Sequence, residues 1–198
     1  MNDDFVLEPA AFLDLWQEKY FLGQEFLTWL WIESEIQGNL LNIKPVEGAA
    51  IAREAFPPAV ELWFENRLTL EKGEGGEKKS VTCQTPGTEW AEAHSALRHG
   101  KKLTRGRLKI RNEEKEWGLT LNADTLTPQG VKFPKTFTEG EEEEDSGVGR
   151  FMERGARRNE LAAIVQALYR QFLVARLSPD GETEELPRLN KWMADQEV

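Results

Sequence analysis

The stretch Lys101-Lys102-Leu103-Thr104-Arg105-Gly106-Arg107-Leu108-Lys109-Ile110-Arg111 decides how the chain is read. Side chains of a β-strand alternate between its two faces. In that conformation Arg105, Arg107, Lys109 and Arg111 share one face, and Leu108 and Ile110 turn to the other. The pattern predicts a half-buried strand with a cationic outer side. Downstream, Asn112-Glu113-Glu114 joins it to a second strand over 116–121. Upstream, Val60–Phe64 and Arg67–Leu70 flank Glu65-Asn66 as the two arms of a tight hairpin, and Val81–Gln84 reads as a short strand. Strands joined by short connections pair antiparallel. The expected class is therefore α+β, an antiparallel sheet of four to six strands with two long helices packed against it.

Two segments supply those helices. From Ala10 to Gln37, Phe12, Leu15, Trp16, Leu22, Phe26, Trp29 and Leu30 recur at spacings of three and four. A second line of Leu13, Tyr20, Leu27 and Trp31 widens the apolar stripe, so this helix is expected to be buried on two sides, by its own domain or by a partner subunit. Gly23 costs about 1 kcal/mol against alanine in a helix interior. Its presence predicts a close approach of another backbone or a break, and Gly38-Asn39 reads as a C-cap. The second long helix runs from Val148 to Leu177, is stopped by Pro179, and is followed by a short helix over Glu184–Ala194. The long helices are of matching length and are expected to pack on each other. A shorter one runs from Thr88 to Gly100, while residues 39–58 and the tip Gly73–Lys79 read as connections. Glu139 to Ser146 reads as a solvated acidic linker. The resulting organisation is a core domain over 1–138, a linker over 139–147, and a helical segment over 148–198 that packs back on the core.

The chain has 198 residues, 39% of them apolar and 30% charged, which is ordinary globular composition rather than that of a disordered chain. Cys83 is the single cysteine, so no internal disulfide can form and a reducing compartment is expected. No apolar run approaches the ~20 residues of a membrane helix. The start Met1-Asn2-Asp3-Asp4 lacks the basic region of a secretory signal. The expectation is a cytoplasmic protein with no membrane association. The net charge of −10 is uneven, with −7 over residues 1–50 and +5 over 101–138. Such acidity argues against indiscriminate adhesion to polyanions but leaves room for a local basic face.

Catalytic constellations are missing from the sequence. His94 and His99 are five residues apart, about 140° around one helix, and cannot address one metal together. Cys83 has no neighbouring histidine or cysteine motif. No nucleophile elbow, phosphate loop or zinc-protease motif occurs, and Gly73-Glu74-Gly75-Gly76 would repel a phosphate. Glu113-Glu114-Lys115-Glu116 resembles a metal-dependent nuclease fragment but falls at a strand turn, where charge is expected anyway. The chain reads as non-enzymatic, with no cofactor and no metal.

What remains is the cationic ribbon. Same-face residues of a strand stand about 6.6 Å apart, close to the phosphate spacing of a nucleic-acid strand, and arginine grips phosphate through a bidentate fork. Four adjacent cations need relief from an anion, which is either a nucleic acid or the protein's own carboxylates, with Glu113, Glu114, Glu116 and Glu141–Glu144 as candidates. Trp16, Trp29, Trp31, Trp63 and Trp117 fall in apolar patterns and are expected to pack in the core or an interface rather than stack on bases.

The run Phe21-Leu22-Gly23-Gln24-Glu25-Phe26-Leu27-Thr28-Trp29-Leu30-Trp31 resembles a segment of the bacterial RdgC-like, recombination-associated proteins. Val60-Glu61-Leu62-Trp63-Phe64, Gly100-Lys101-Lys102 and Trp117-Gly118-Leu119-Thr120-Leu121 add to the likeness, which covers about a fifth of the chain. It implies a non-enzymatic protein that forms a ring-like dimer on duplex DNA without sequence preference and restrains recombinase. This chain is shorter and more acidic than full-length members of that family.

Two functions are thus expected. One is a non-catalytic accessory protein of DNA recombination or maintenance, contacting double-stranded DNA through Lys101, Lys102, Arg105, Arg107, Lys109 and Arg111. The other is a protein–protein adaptor or a subunit of an obligate oligomer, meeting a second copy or a partner through the helix over 10–37.

Overall fold

The computed structural model describes residues 19–44, 56–72, 79–83, 90–135 and 146–195. In chain order the elements are α1 (Lys19–Ile36), β1 (Leu40–Asn42), β2 (Ala59–Lys72), β3 (Lys79–Cys83), α2 (Ala91–Arg98), β4 (Lys102–Asn112), β5 (Lys115–Asn122), β6 (Gln129–Lys132), α3 (Ser146–Leu177) and α4 (Leu186–Asp195). A π-helical turn, Gly181–Glu185, joins the last two helices.

The six strands form one antiparallel sheet in the order β1-β2-β4-β5-β6, with β3 also on β2. β4 takes one edge of β2, so β1 and β3 share the other, β1 along Ala59–Glu61 and β3 along Leu68–Lys72. The α+β expectation therefore holds. Along β4 the expected alternation is present, with Gly106, Leu108 and Ile110 buried and Arg105, Arg107, Lys109 and Arg111 facing out. On β5, Trp117, Leu119 and Leu121 point inward.

Two details of the sequence reading change. Glu65-Asn66 is no hairpin. β2 runs straight through it as one strand of 14 residues, and Phe64 pairs with Leu108 while Leu68 pairs with Gly106. Glu65, Asn66 and Arg67 thus stand opposite Arg107 alone, a bulge that resets the register without reversing the chain. A turn signal and a bulge signal look alike locally; the long-range ladder to β4 decides between them. The second change adds strands, since β1 lies inside the presumed connection over 39–58 and β6 follows β5.

α1 lies on the inner face of the sheet, and its wide apolar stripe explains its place. Phe26, Leu27, Leu30, Trp31 and Ile32 are all buried. Against its far side packs α3, with Phe26 edge-on to Tyr169 at 5.0 Å and tilted against Phe172 at 5.6 Å. The two-sided burial is thus intramolecular for the described part of this helix. Gly23 marks a close approach, because a Cβ there would stand 1.9 Å from the Ala123 carbonyl oxygen of the β5–β6 connection. Gly38 and Asn39 both take left-handed φ and end the helix as expected, with the Asn39 N–H donating to the Ser34 carbonyl. Positions 10–18, 45–55, 73–78, 84–89 and 136–145 lie outside the described residues, including Trp16, Thr88 and most of the acidic linker. α3 is helical from Ser146 and ends at Leu177, two residues before Pro179.

Candidate functional site

The outer face of the sheet carries the cationic ribbon, and the register determines what each cation meets. Arg111 lies between Glu61 on β2 and Glu116 on β5, and Lys109 lies between Trp63 and Gly118. Arg111 pairs with Glu61 and stacks its guanidinium 5.2 Å above the Trp63 ring. Lys109 reaches Glu116 at 2.8 Å, and Arg107 reaches Glu65, in the β2 bulge, at 2.7 Å. These pairs are about a third to a half exposed, so each adds only ~0–1 kcal/mol of stability. Their electrostatic effect is larger than their stabilising one, because they convert a row of charges into a row of dipoles. An incoming phosphate would have to displace a carboxylate at three consecutive positions.

Of the two kinds of relief open to the ribbon, the protein's own carboxylates are present at Arg107, Lys109 and Arg111, and Glu116 is one of the candidates named from the sequence. Lys102 also has an internal partner, Glu25 of α1, at 3.3 Å. Of the six cations proposed to hold DNA, Lys101 and Arg105 alone are without an ion pair among the described residues. Arg105 is exposed between Thr69 and Asn122, its neutral neighbours across the ladder. Of the two places expected for Trp63, the core is not the one it takes; it lies half-buried on the outer face beneath Arg111. Trp31 and Trp117 are buried as expected.

The second surface lies at the start of α3. Val148, Phe151 and Met152 are 66%, 78% and 68% exposed, the largest such values among the large apolar side chains of the described residues. At 100° per residue these three, with Gly155, fall within one narrow stripe of the helix. Glu153, Arg157 and Glu160 lie on the opposite side and hold the helix to the body. Arg157 bonds Glu153 at 3.3 Å and Glu160 at 3.4 Å, and Glu160 accepts Lys115 of β5 at 2.8 Å. The apolar stripe therefore faces away from the protein. Arg154 and Arg158 border it. A Cβ on Gly155 would meet nothing within 4 Å, so the helix backbone is bare at the centre of the stripe.

A third feature is a cleft of about 200 Å³ between α1, α3, α4 and the turn before β4. An ionic network ties α1 to α4 next to it. Buried Glu33 of α1 takes Arg188 of α4, and Arg188 also bonds Glu185 at 2.8 Å, which in turn accepts the Trp29 indole N–H at 2.9 Å. Burial alone would raise the Glu185 carboxyl, but hydrogen bonds from Arg188 and Trp29, with the Arg188 charge, outweigh it and hold it below the usual range.

The remaining reactive groups are quiet. Burial first, then Glu92, raises the Cys83 thiol, against a smaller opposing effect of Lys101. A raised thiol holds less thiolate and is a poor nucleophile. His94 stacks on Trp31 at 5.2 Å, with Glu35 3.4 Å away. His99 is exposed, with Nδ1 2.7 Å from the Ser95 carbonyl. Glu113 and Glu114 form the exposed β4–β5 turn, and Lys115 is taken by Glu160. Among the described residues no group of three or more His, Cys, Asp or Glu gathers as metal ligands do, and no helix is long and apolar enough to cross a membrane. The exposed stripe on α3 was missed in the sequence, although a signal existed. Val148, Phe151 and Met152 are followed by no large apolar residue until Leu161. No family model matches the chain, and a search of curated proteins finds no match.

Proposed function

We propose that this protein is a non-catalytic interaction module of the cytoplasm that docks a partner protein through the first turns of α3. The observation carrying this reading is the outward stripe of Val148, Phe151 and Met152 with arginines at its border. Apolar side chains at i, i+3 and i+4 are what a helix lays into a partner's groove. The bordering Arg154 and Arg158 ask for carboxylates on that groove's rim. The occupant is therefore an acidic-rimmed apolar groove on a different protein.

The test is a pull-down after nuclease treatment, with the captured protein purified and re-bound to the pure chain. Binding lost in Phe151→Glu and Met152→Glu but kept in Thr120→Glu, on the sheet's outer face, supports the reading. Capture that disappears with nuclease overturns it. A concentration-dependent dimer abolished by Phe151→Glu assigns the stripe to a second copy instead and also overturns it.

A second reading, contact with duplex DNA, draws on the likeness to RdgC-like proteins and on Lys101 and Arg105. Two phosphate contacts give a slope of log affinity on log salt of about −2, where all six cations would give about −5. Arg105→Glu tests it: unchanged duplex binding at low salt, or none in the parent protein, removes that reading.

A further inference from the structure

The cleft behind α4 has a composition of its own. Its floor and walls are apolar, with Trp29, Ile32, Leu97, Phe172, Leu189 and Met193 among them. Its mouth is cationic, formed by Lys101, Lys102 and Arg176, and Glu25 is the single carboxylate there. Glu25 is shared, lying 3.3 Å from Lys102 and 3.2 Å from Arg176. Arg176 uses only its Nε for this bond; its two terminal amino groups make no hydrogen bond among the described residues. Lys101 has no ion pair among the described residues. One negative charge thus faces three positive ones at the rim of an apolar hollow.

We propose that this cleft binds a small carboxylic acid with an apolar tail, the carboxylate at Lys101 and Arg176 and the tail against Trp29 and Leu189. Arginine's free fork matches a carboxylate bidentately, and the partly desolvated mouth strengthens the attraction over its value in water. The hollow is smaller than the about 300–1,000 Å³ of pockets that bury drug-sized molecules, so it suits a short tail. At about 30 Å³ for each water-sized group the hollow takes roughly seven, the length of a medium-chain acid. The inference is independent of the partner surface on α3.

Calorimetric titration of the full chain with octanoate and octanamide tests it. The expected result is saturable octanoate binding, at least tenfold weaker for octanamide, and weakened at least tenfold by Lys101→Glu. Leu189→Trp fills the hollow and is expected to abolish binding; Phe151→Glu leaves it unchanged, which separates this site from the docking stripe. A circular dichroism spectrum like that of the parent protein shows that each variant is folded. No saturable heat with octanoate at millimolar concentration overturns the proposal. So does equal affinity for the amide, or full octanoate binding by folded Leu189→Trp.

Discussion

Leu103 shows how a single displaced backbone group ties a helix to the sheet. Thr69 pairs with Arg105 and Leu70 with Leu103, so Thr104 is an extra residue in β4. The freed Leu103 N–H is not left alone; it donates to Thr28 Oγ1 of α1 at 2.9 Å, while that hydroxyl donates to the Gln24 carbonyl at 2.8 Å. Thr28→Val keeps the shape and removes the acceptor. A buried donor left unpaired costs about 1–3 kcal/mol, so urea unfolding of this variant should show a loss in that range, with Thr28→Ser retaining most of the stability. Gly106 makes a second residue-scale case. A Cβ there would sit 2.8 Å from the Phe64 ring, so the glycine makes room for an aromatic across the ladder. Gly106→Ala should lose about 1–3 kcal/mol by overpacking, and Phe64→Leu in the same chain should recover part of it, a coupling that a double-mutant cycle reads directly. Gly23 was legible as a point of close approach because a helix interior rarely tolerates glycine. Which backbone approaches it was not legible, since Ala123 is a hundred residues away.

At the scale of elements, periodicity found what periodicity can find. β4 and β5, with their alternation, and α3, with its stripe, stand close to their expected bounds. β2 was misread because its bulge at Glu65–Arg67 carries turn-like residues, and the ladder that keeps it extended belongs to β4. β1 has three residues and too little pattern to be seen. α4 is held by charge as much as by apolar contact, and this gives a pH dependence. Glu185 is depressed in the folded protein, so its contribution is present above the ordinary glutamate value of about 4.3 and is lost as pH falls through the lower, folded value. Stability followed by thermal unfolding should therefore drop on acidification below about pH 4 more steeply in the parent protein than in Glu185→Gln. The variant should be the less stable of the two at neutral pH.

For the whole molecule, the balance between internal and external partners decides function. Alternation placed Arg105, Arg107, Lys109 and Arg111 on one face correctly, and that much was legible. Their neutralisation was legible in part: Glu116, named as a candidate, meets Lys109, whereas Glu61 and Glu65 come from β2, Glu61 fifty residues from Arg111. A face with Arg107, Lys109 and Arg111 already paired is a weak template for a polyanion, whereas α3 presents an apolar stripe that its own body leaves uncovered. On the proposed function, this stripe, and not the sheet face, meets the partner. The most direct measurement is photocrosslinking in the native cell from a light-activated residue placed at position 151, beside the same residue at position 105. Position 151 should give one discrete protein adduct that survives nuclease, and position 105 none. A nuclease-sensitive adduct at 105 with nothing at 151 would contradict the account.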